Sequence, residues 1–286
     1  MKAGCQMAFS DFTAPSYIAE AGALVEEVGF DSLWVPEHVM FFANYESKYP
    51  YSDDGQLPGA PKSLLDPFSA LTFVAAHTHR IKLCTGVCLV PQRNPIYCAK
   101  QVADLDYLSG GRFEFGIGIG WLKEEFDALG VPWKNRAGRL LECLDVMKTL
   151  WCDEISSFNG EHFNFSGAFQ NPKPIQKPHP PLIFGGESDA ALKRVASIGQ
   201  GWYGFNLTPT GFAAALEKLD KLLEASGRRR EDLAIYLTPA SGSTTQTDLK
   251  AFARAGAEQI ILPVFANDTK KLQARAQAVL DLVKSI

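Results

Sequence analysis

The sequence lacks the cysteine and histidine patterns that mark zinc or redox sites. Its six cysteines include no Cys-x-x-Cys pair, and most lie in apolar segments, where a thiol packs as a small hydrophobe. Among the five histidines, His77 and His79 suit a helix end, while His162 and His179 lie in polar or proline-rich connections. We therefore expect reduced, buried thiols and no metal site.

The chain also lacks a basic surplus and a long apolar run. Its formal net charge is −4, which excludes a wide basic surface for nucleic acid. The apolar stretches at 81–91 and 182–186 are much shorter than the roughly 20 residues of a membrane span. Lys2 leads directly into a strand-like segment, without the apolar region of a signal peptide. We expect a cytoplasmic protein that binds neither nucleic acid nor membrane.

What the sequence does contain is a repeated unit of a short apolar strand, a turn and a longer helical pattern. Buried parallel strands have this nearly continuous apolar character. Eight such units without a change in composition predict an α/β protein with a single (β/α)8 TIM barrel, one domain over residues 1–286. An open, doubly wound sheet is the structural alternative. The predicted strands cover residues 4–9, 32–35, 81–89, 113–117, 182–184, 202–205, 233–237 and 259–262.

Two segments interrupt this rhythm. Residues 39–65, after the second strand, show no period and read as a long active-site loop. Residues 153–181, after the fourth strand and its helices, contain a predicted hairpin with Asn159-Gly160 at its tip. We expect both insertions to shape a substrate pocket. The first of them is rich in aromatic residues: Phe41, Phe42, Tyr45, Tyr49 and Tyr51.

Polar and glycine residues cluster where the strands end, which is where barrel enzymes place their chemistry. Glu37 and His38 follow the second strand, and His38 suits either proton transfer or a structural role. Gly116, Gly118 and Gly120 follow G-x-G-x-G spacing, which is not a dinucleotide fingerprint and also fits close packing. Residues 185–188 open a helix, where free amides hold a phosphate or where Ser188 acts as an ordinary cap.

Four segments in order along the chain resemble one family. They are GFDSLWVPEH at 29–38, RIKLCTGVCLVPQRNP at 80–95, LDYLSGGRFEFGIGIGW at 105–121 and PLIFGGES at 181–188. They look like the bacterial luciferase-like monooxygenase superfamily, and most like its branch of deazaflavin (coenzyme F420)-dependent oxidoreductases. The resemblance covers residues 4 to about 205.

The resemblance implies roles for the strand ends. Glu37 and His38 are expected to contact the coenzyme ring and handle a proton, with His38 as the proton donor or acceptor and Glu37 orienting it. A bulge with a non-proline cis peptide is expected behind the ring, and the loop after the fifth strand is expected to hold the coenzyme phosphate. The implied coenzyme-binding residues are His38, Thr85, Gly86, Val87, Gly118, Gly120, Trp121, Gly185, Gly186, Glu187 and Ser188.

The chain departs from the family pattern at two positions. Several deazaflavin dehydrogenases carry a glutamate where this chain has Trp121, and some flavin-using relatives carry an arginine where it has Ile119. The first difference argues against a catalytic acid borrowed from the dehydrogenases, and the second weakens, without excluding, a clamp for a flavin phosphate. Trp121 suits an apolar wall instead.

Three functional hypotheses follow. The first is hydride transfer between a deazaflavin, coenzyme F420, and a small, fairly apolar organic substrate. The second is a two-component monooxygenase that uses oxygen and reduced FMN from a partner reductase. The third is a barrel that binds a flavin without catalysis. The resemblance also implies a homodimer or higher homo-oligomer, and we expect Arg136, Arg139 and Glu142 to form surface or interface pairs.

Overall fold

A ring of parallel strands is the central feature of the computed structural model, which describes residues 1–286. Eleven strands occur along the chain: β1 (Lys2–Gln6), β2 (Ser32–Val35), β3 (Lys82–Thr85), β4 (Cys88–Leu89), β5 (Phe113–Gly118), β6 (Ser156–Asn159), β7 (Asn164–Ala168), β8 (Leu182–Gly185), β9 (Gly201–Leu207), β10 (Ala234–Pro239) and β11 (Gln259–Pro263). Nine of them form one sheet in the order β3-β2-β1-β11-β10-β9-β8-β5-β4. Because β3 and β4 both pair with β5, they are halves of one barrel strand. The predicted closed barrel of eight parallel strands is confirmed.

Helices cover the outside of this ring, as the predicted repeat requires. They are α1 (Pro15–Val28), α2 (Pro67–Ala75), α3 (Pro95–Leu108), α4 (Lys123–Ala128), α5 (Arg136–Cys152), α6 (Asp189–Ile198), α7 (Pro209–Ala225), α8 (Gln246–Ala255) and α9 (Thr269–Lys284). Local sequence fixes where they begin. Asp66 caps α2 by accepting from the Ser69 amide (3.0 Å), and Asn94 caps α3 by accepting from the Ile96 amide (3.0 Å). In both helices proline occupies the first helical position, where its missing N–H costs nothing.

The third barrel strand is interrupted at Gly86–Val87, where the peptide bond is cis. This confirms the predicted bulge with a non-proline cis peptide. Next to the break, the Thr85 hydroxyl donates to the Gly116 carbonyl (2.7 Å). A Cβ added to Gly116 would lie 1.8 Å from the Thr85 carbonyl oxygen. Only glycine therefore fits at position 116, because the backbones of β3 and β5 approach too closely for a side chain.

The two insertions lie where the sequence predicts them. Residues 39–65 contain neither helix nor strand, and residues 153–181 contain the antiparallel hairpin β6–β7. The hairpin turn is longer than a two-residue Asn-Gly turn, since Asn159 pairs with Asn164. Glu142 on α5 explains the longer tip, because its carboxylate accepts from the amides of His162 (2.8 Å) and Phe163 (3.1 Å).

Polar side chains close the amino end of the barrel by bonding to one another. Trp34 Nε1 donates to Ser32 Oγ (2.7 Å), which donates to Gln259 Oε1 (3.0 Å). The Tyr236 hydroxyl donates to Glu114 Oε2 (2.7 Å). We call these five residues the floor network. Two members of this network, Trp34 and Tyr236, also pack inside the barrel with four further buried side chains: Cys84, Ile183, Tyr203 and Ile261.

The thiols and the helices bear on two further expectations. All six cysteines are unpaired and five are buried, whereas Cys152 at the end of α5 is exposed, contrary to a uniformly buried set. None of the helices combines the length and the apolar character needed to cross a membrane.

Candidate active site

A cavity of about 880 Å³ opens at the carboxyl ends of the barrel strands. Its walls come from the segments that follow β2, β3, β5 and β8, together with the insertion at 39–65. The structure thus brings the predicted strand ends to one mouth. The predicted site residues that line the cavity are Glu37, His38, Gly86, Val87, Gly118, Gly120, Trp121, Gly185, Gly186, Glu187 and Ser188.

Thr85 is the predicted site residue that does not line this cavity. Its side chain is fully buried, and its hydroxyl is used by the bond to the Gly116 carbonyl. The structure therefore does not place Thr85 on the cavity surface, and its contact with a coenzyme stays a prediction. Thr85 instead supports the wall that Gly86 and Val87 present to the cavity.

His38 lies on the cavity wall with both ring nitrogens engaged. Its side chain is 11% exposed. Nδ1 lies 3.0 Å from Glu125 Oε2, and Nε2 accepts a hydrogen bond from Trp121 Nε1 (3.2 Å). The ring also packs against Phe41, with a centroid separation of 5.1 Å. A histidine held in this way has a fixed ring and a defined partner at each nitrogen.

Glu125 on α4 is the carboxylate behind His38, and it is fully buried. Its Oε1 accepts from the amides of Val39 (2.7 Å) and Met40 (3.2 Å), while Oε2 accepts from Gln92 Nε2 (2.9 Å) as well as facing His38. Burial acts to raise the pKa of Glu125, but the bonds from His38, Gln92 and Met40 outweigh it and lower that pKa. Glu125 is therefore a charged carboxylate at neutral pH.

Glu37 does not orient His38, contrary to the expectation from their adjacency. Its Oε1 is bound by the Arg93 guanidinium and its Oε2 by the Leu89 amide. Arg93 also bridges to Asp66 Oδ2 (2.6 Å). Neighbouring residues beyond a strand point to different sides, so the two side chains meet different partners. Glu37 lines the cavity, but its carboxylate is bound to Leu89 in β4 and to Arg93 just after that strand.

Two arginines make the far end of the cavity positive. Arg136, at the start of α5, and Arg194, on α6, both line it. The pKa of Arg194 is lowered, first by burial and then by the charge of Arg136. The Arg194 Nε is buried and has no hydrogen-bond partner, and the Arg136 guanidinium stacks on Trp133 at 3.7 Å. An unpaired donor on one of two neighbouring cations fits an anionic group such as a phosphate.

The start of α6 adds backbone donors to this positive end. Gly186 has φ of +102°, a left-handed conformation that glycine adopts without strain. Ser188 caps α6 by accepting from the Ala191 amide (3.2 Å), so the predicted capping role is confirmed. The N-terminus of a helix favours anions, which suits the phosphate position that the resemblance implies.

Glu187 fastens the insertion over the cavity. Its Oε1 accepts from the Phe205 amide (2.8 Å), and its Oε2 accepts from the Tyr51 hydroxyl (3.1 Å). Burial raises the pKa of Glu187. The Asn206 side chain also donates to the Tyr51 carbonyl (3.1 Å). These bonds direct Glu187 toward the loop.

An aromatic wall completes the cavity. Trp121 meets Tyr49 edge-on at 5.2 Å and Tyr45 at 5.7 Å, and Tyr51 meets Phe205 at 4.9 Å. The aromatic residues that line the cavity are Phe41, Tyr49, Tyr51, Trp121, Trp133, Tyr203 and Phe205. Phe42, one of the aromatic residues of the insertion that was expected to shape the pocket, is not among them.

The family model for luciferase-like monooxygenases matches residues 5–282 of this chain. The chain belongs to the luciferase-like monooxygenase family. Its members are oxidoreductases and monooxygenases, which supports an enzyme that acts on small molecules. The flavin-type coenzyme of such enzymes is either F420 or FMN.

Three relatives show how this luciferase-like chain compares with known proteins. An uncharacterised protein of Mycobacterium tuberculosis is 37% identical over 186 residues, which cover 64% of this chain and 66% of that one, just under two thirds. The FMNH2-dependent dimethylsulfone monooxygenase of Pseudomonas putida is 36% identical over 131 residues, covering 45% and 36%. The coenzyme F420-dependent tetrahydromethanopterin reductase of Methanopyrus kandleri superposes with a TM-score of 0.75 at 17% identity, covering 98% of each chain. That last likeness concerns the fold.

Sequence reasoning missed Glu125, Arg136 and Arg194. All three project from helices, whereas the predicted site residues follow strand ends. The expected surface pairs of Arg136, Arg139 and Glu142 are not formed within the chain: Arg136 lines the cavity, Arg139 Nε donates to the Pro91 carbonyl (3.0 Å), and Glu142 holds the hairpin. Their pairing at an interface stays a prediction. One available signal was the run of two glutamates, 124 and 125, directly after the glycine-rich strand end.

Proposed function

We propose that this chain transfers a hydride between a deazaflavin, coenzyme F420, and a small organic substrate. The observation that carries the proposal is His38, which sits on the cavity wall with its Nε2 as an acceptor and a charged carboxylate behind its Nδ1. A histidine with a fixed ring and an unprotonated acceptor nitrogen is suited to take a proton from a substrate or to return one.

The lining residues fit a ring at one end and a phosphate at the other. When bound, the deazaflavin supplies the two-electron hydride chemistry, and the protein orients it. Gly86, Val87 and Gly118 give a wall with little side-chain bulk for the ring. Arg136 and Arg194 supply paired cations for the phosphate, and the unpaired Arg194 Nε is a donor ready for it.

The substrate class follows from the wall around His38. Phe41, Tyr49 and Trp121 surround the histidine side of the cavity, so an apolar or aromatic substrate gains contact area there. We therefore propose a small, fairly apolar compound with one polar group that reaches His38. The same wall excludes water from the transfer path.

The deazaflavin is preferred to FMN because the four motif segments look most like the F420-dependent branch, and because Ile119 stands where some flavin-using relatives carry an arginine. A second candidate is a monooxygenase that uses reduced FMN from a partner reductase. It is supported by the identity to the FMNH2-dependent enzyme of Pseudomonas putida and by the aromatic wall, which suits oxygen chemistry in a dry pocket.

A side-by-side equilibrium titration tests the coenzyme assignment. The purified protein is titrated with F420 and with FMN, oxidised and reduced, and binding is followed by fluorescence. We expect tight binding of F420 and weak binding of FMN. Preferential binding of reduced FMN, with oxygen consumption on mixing, would move the assignment to the monooxygenase. Binding of neither coenzyme would contradict both candidates.

The third hypothesis, a barrel that binds a flavin without catalysis, is separated by the variants of His38. A bound coenzyme whose reactivity toward every substrate is the same in wild type and in His38→Ala would support it.

We also propose that residues 1–286 act as one domain in a homodimer or larger homo-oligomer, and light scattering of the purified protein measures that oligomeric state. The cytoplasmic location and the reductase partner stay predictions.

A further inference from the structure

We infer that Glu125 is a positioning residue that fixes His38 as the tautomer protonated at Nδ1, which leaves Nε2 as the only nitrogen that exchanges a proton with the substrate. The catalytic part of this inference rests on the proposed function. The tautomer itself is a property of the protein without coenzyme.

The tautomer follows from the two partners of the ring. The indole Nε1 of Trp121 is a donor only, so His38 Nε2, at 3.2 Å from it, accepts and carries no proton. A neutral imidazole then carries its proton on Nδ1, where Glu125 Oε2 accepts it at 3.0 Å. A doubly protonated ring would set an N–H of Nε2 against the N–H of Trp121.

Glu125 is held so firmly that it imposes this choice on His38. Its carboxylate is fully buried and receives donors from Val39, Met40 and Gln92. The amides of Val39 and Met40 immediately follow His38 in the chain, so one carboxylate fixes both the backbone and the ring of the histidine. Phe41 and Trp121 limit rotation of the ring from two sides.

This arrangement defines what His38 does first. His38 and Trp121 both line the cavity, and the lone pair of Nε2 accepts the Trp121 N–H. A hydrogen-bond donor of the substrate takes the place of that N–H. The substrate proton then passes to Nε2, and the charged Glu125 stabilises the positive ring. In the reverse direction the same nitrogen returns the proton.

The test is the protonation state of the ring nitrogens in the coenzyme-free protein, measured by long-range 1H–15N NMR. The His38 signals are assigned by their loss in His38→Gln. We expect a protonated Nδ1 and an unprotonated Nε2 in the wild type. A wild-type ring protonated at Nε2 would overturn the inference, and this measurement needs no variant of Glu125.

Glu125→Gln gives the sharper result. Its oxygen can still accept from the amides of Val39 and Met40, so its NH2 faces Nδ1 of His38. The proton then moves to Nε2, and the Trp121 N–H loses its acceptor, which shifts the indole resonance. Retention of the wild-type tautomer in a folded Glu125→Gln would contradict the role of Glu125.

Two control variants isolate this effect. Glu124→Gln alters the neighbouring glutamate, which binds Ser47 and the Glu46 amide and does not touch His38, so the tautomer should be unchanged. Trp121→Phe removes the donor to Nε2 and keeps Glu125, so Nδ1 should stay protonated. Loss of the Nδ1 proton in Trp121→Phe would mean that Trp121, and not Glu125, sets the tautomer.

Turnover separates this inference from the proposed function. Glu125→Gln should reduce kcat on the order of 10²- to 10⁴-fold, the range of a mispositioned general base, with unchanged coenzyme affinity. The expected NMR result without any hydride transfer in the wild type would sink the proposed function and leave the tautomer standing. An active wild type with the opposite tautomer would do the reverse.

Discussion

The floor and the mouth of the barrel contain similar polar groups, but those of the floor are hydrogen-bonded to one another and some of those at the mouth have no partner. In the floor network, Tyr236 bonds to Glu114, and Trp34, Ser32 and Gln259 bond in series. At the mouth, Arg194 Nε has no partner, and beside the site Gln92 Oε1 has none either. Two of the three buried polar atoms without a partner in the whole chain therefore lie at or beside the mouth.

This difference shows how polar groups that stabilise the barrel can be distinguished from polar groups that bind a ligand. Buried polar groups that satisfy one another stabilise the protein and have little left to offer a ligand. Polar groups that face a cavity with unused capacity cost stability until a ligand pairs with them. By this criterion we expect the floor to be structural and the mouth to bind the ligand, and four variants test the division.

The largest expected effect is that of His38→Ala at the mouth. Loss of the proton donor and acceptor should reduce kcat on the order of 10²- to 10⁴-fold. Coenzyme affinity should change little, because the phosphate end of the cavity is untouched. Steady-state kinetics and the coenzyme titration measure both quantities. His77→Ala is the matched control, since His77 is exposed and its ring bonds only to the Phe73 carbonyl. Full turnover in His38→Ala would end the case for His38.

The next effect is that of Arg194→Ala on coenzyme affinity. A hydrogen bond to a charged group contributes about 1.5–3 kcal/mol, so the Kd should rise about 10- to 100-fold. Lys193→Ala removes an adjacent exposed charge and should leave the Kd unchanged. Equal losses in both variants would mean that α6 acts only through its overall charge. Such a result would weaken the assignment of a built phosphate site.

Sequence predicted the barrel well because its strands are buried on both faces and its helices are punctuated by caps and prolines. The break at Gly86–Val87 and the two insertions were also predictable, the first from the family resemblance and the second from lost periodicity. The partners of His38 were not. Glu125 lies 87 residues away along the chain, and only the folding of α4 against the loop after β2 brings them together.

The adjacent pair Glu37 and His38 misled for a related reason. Adjacency along a chain suggests contact, but consecutive side chains point in different directions. The Glu37 carboxylate pairs with Arg93 instead. The exposed thiol of Cys152 and the position of Arg136 depend likewise on helix orientation. Such orientation is decided by packing between elements, which a single sequence does not display.

A smaller effect is expected at the floor from Tyr236→Phe. Removing the hydroxyl deletes the bond to Glu114 and should lower the free energy of unfolding by about 1 kcal/mol. Coenzyme affinity and kcat should stay at wild-type values. Urea denaturation measures the stability. A change in coenzyme affinity without a change in stability would break the division between the two ends.

The smallest effect concerns Glu124, which anchors the loop at the mouth. Burial acts to raise the pKa of Glu124, but the Ser47 hydroxyl and the amides of Glu46 and Ser47 lower it from 4.5 to about 2. Because the folded-state pKa is depressed, the stabilisation is full above pH 4.5 and is lost as pH falls toward 2. The difference in unfolding free energy between wild type and Glu124→Gln should therefore shrink across that interval. A difference independent of pH would show that the carboxylate charge is not involved.

The close approach at Gly116 has a consequence for how the substrate range of this enzyme can change. A side chain at position 116 would collide with the backbone of the neighbouring strand, so that stretch of the barrel accepts no substitution without moving two strands. The aromatic wall on the insertion is made of side chains and carries no such restriction. Laboratory evolution toward new substrates should therefore accumulate changes at residues such as Phe41 and Tyr49, while position 116 stays glycine in every active clone.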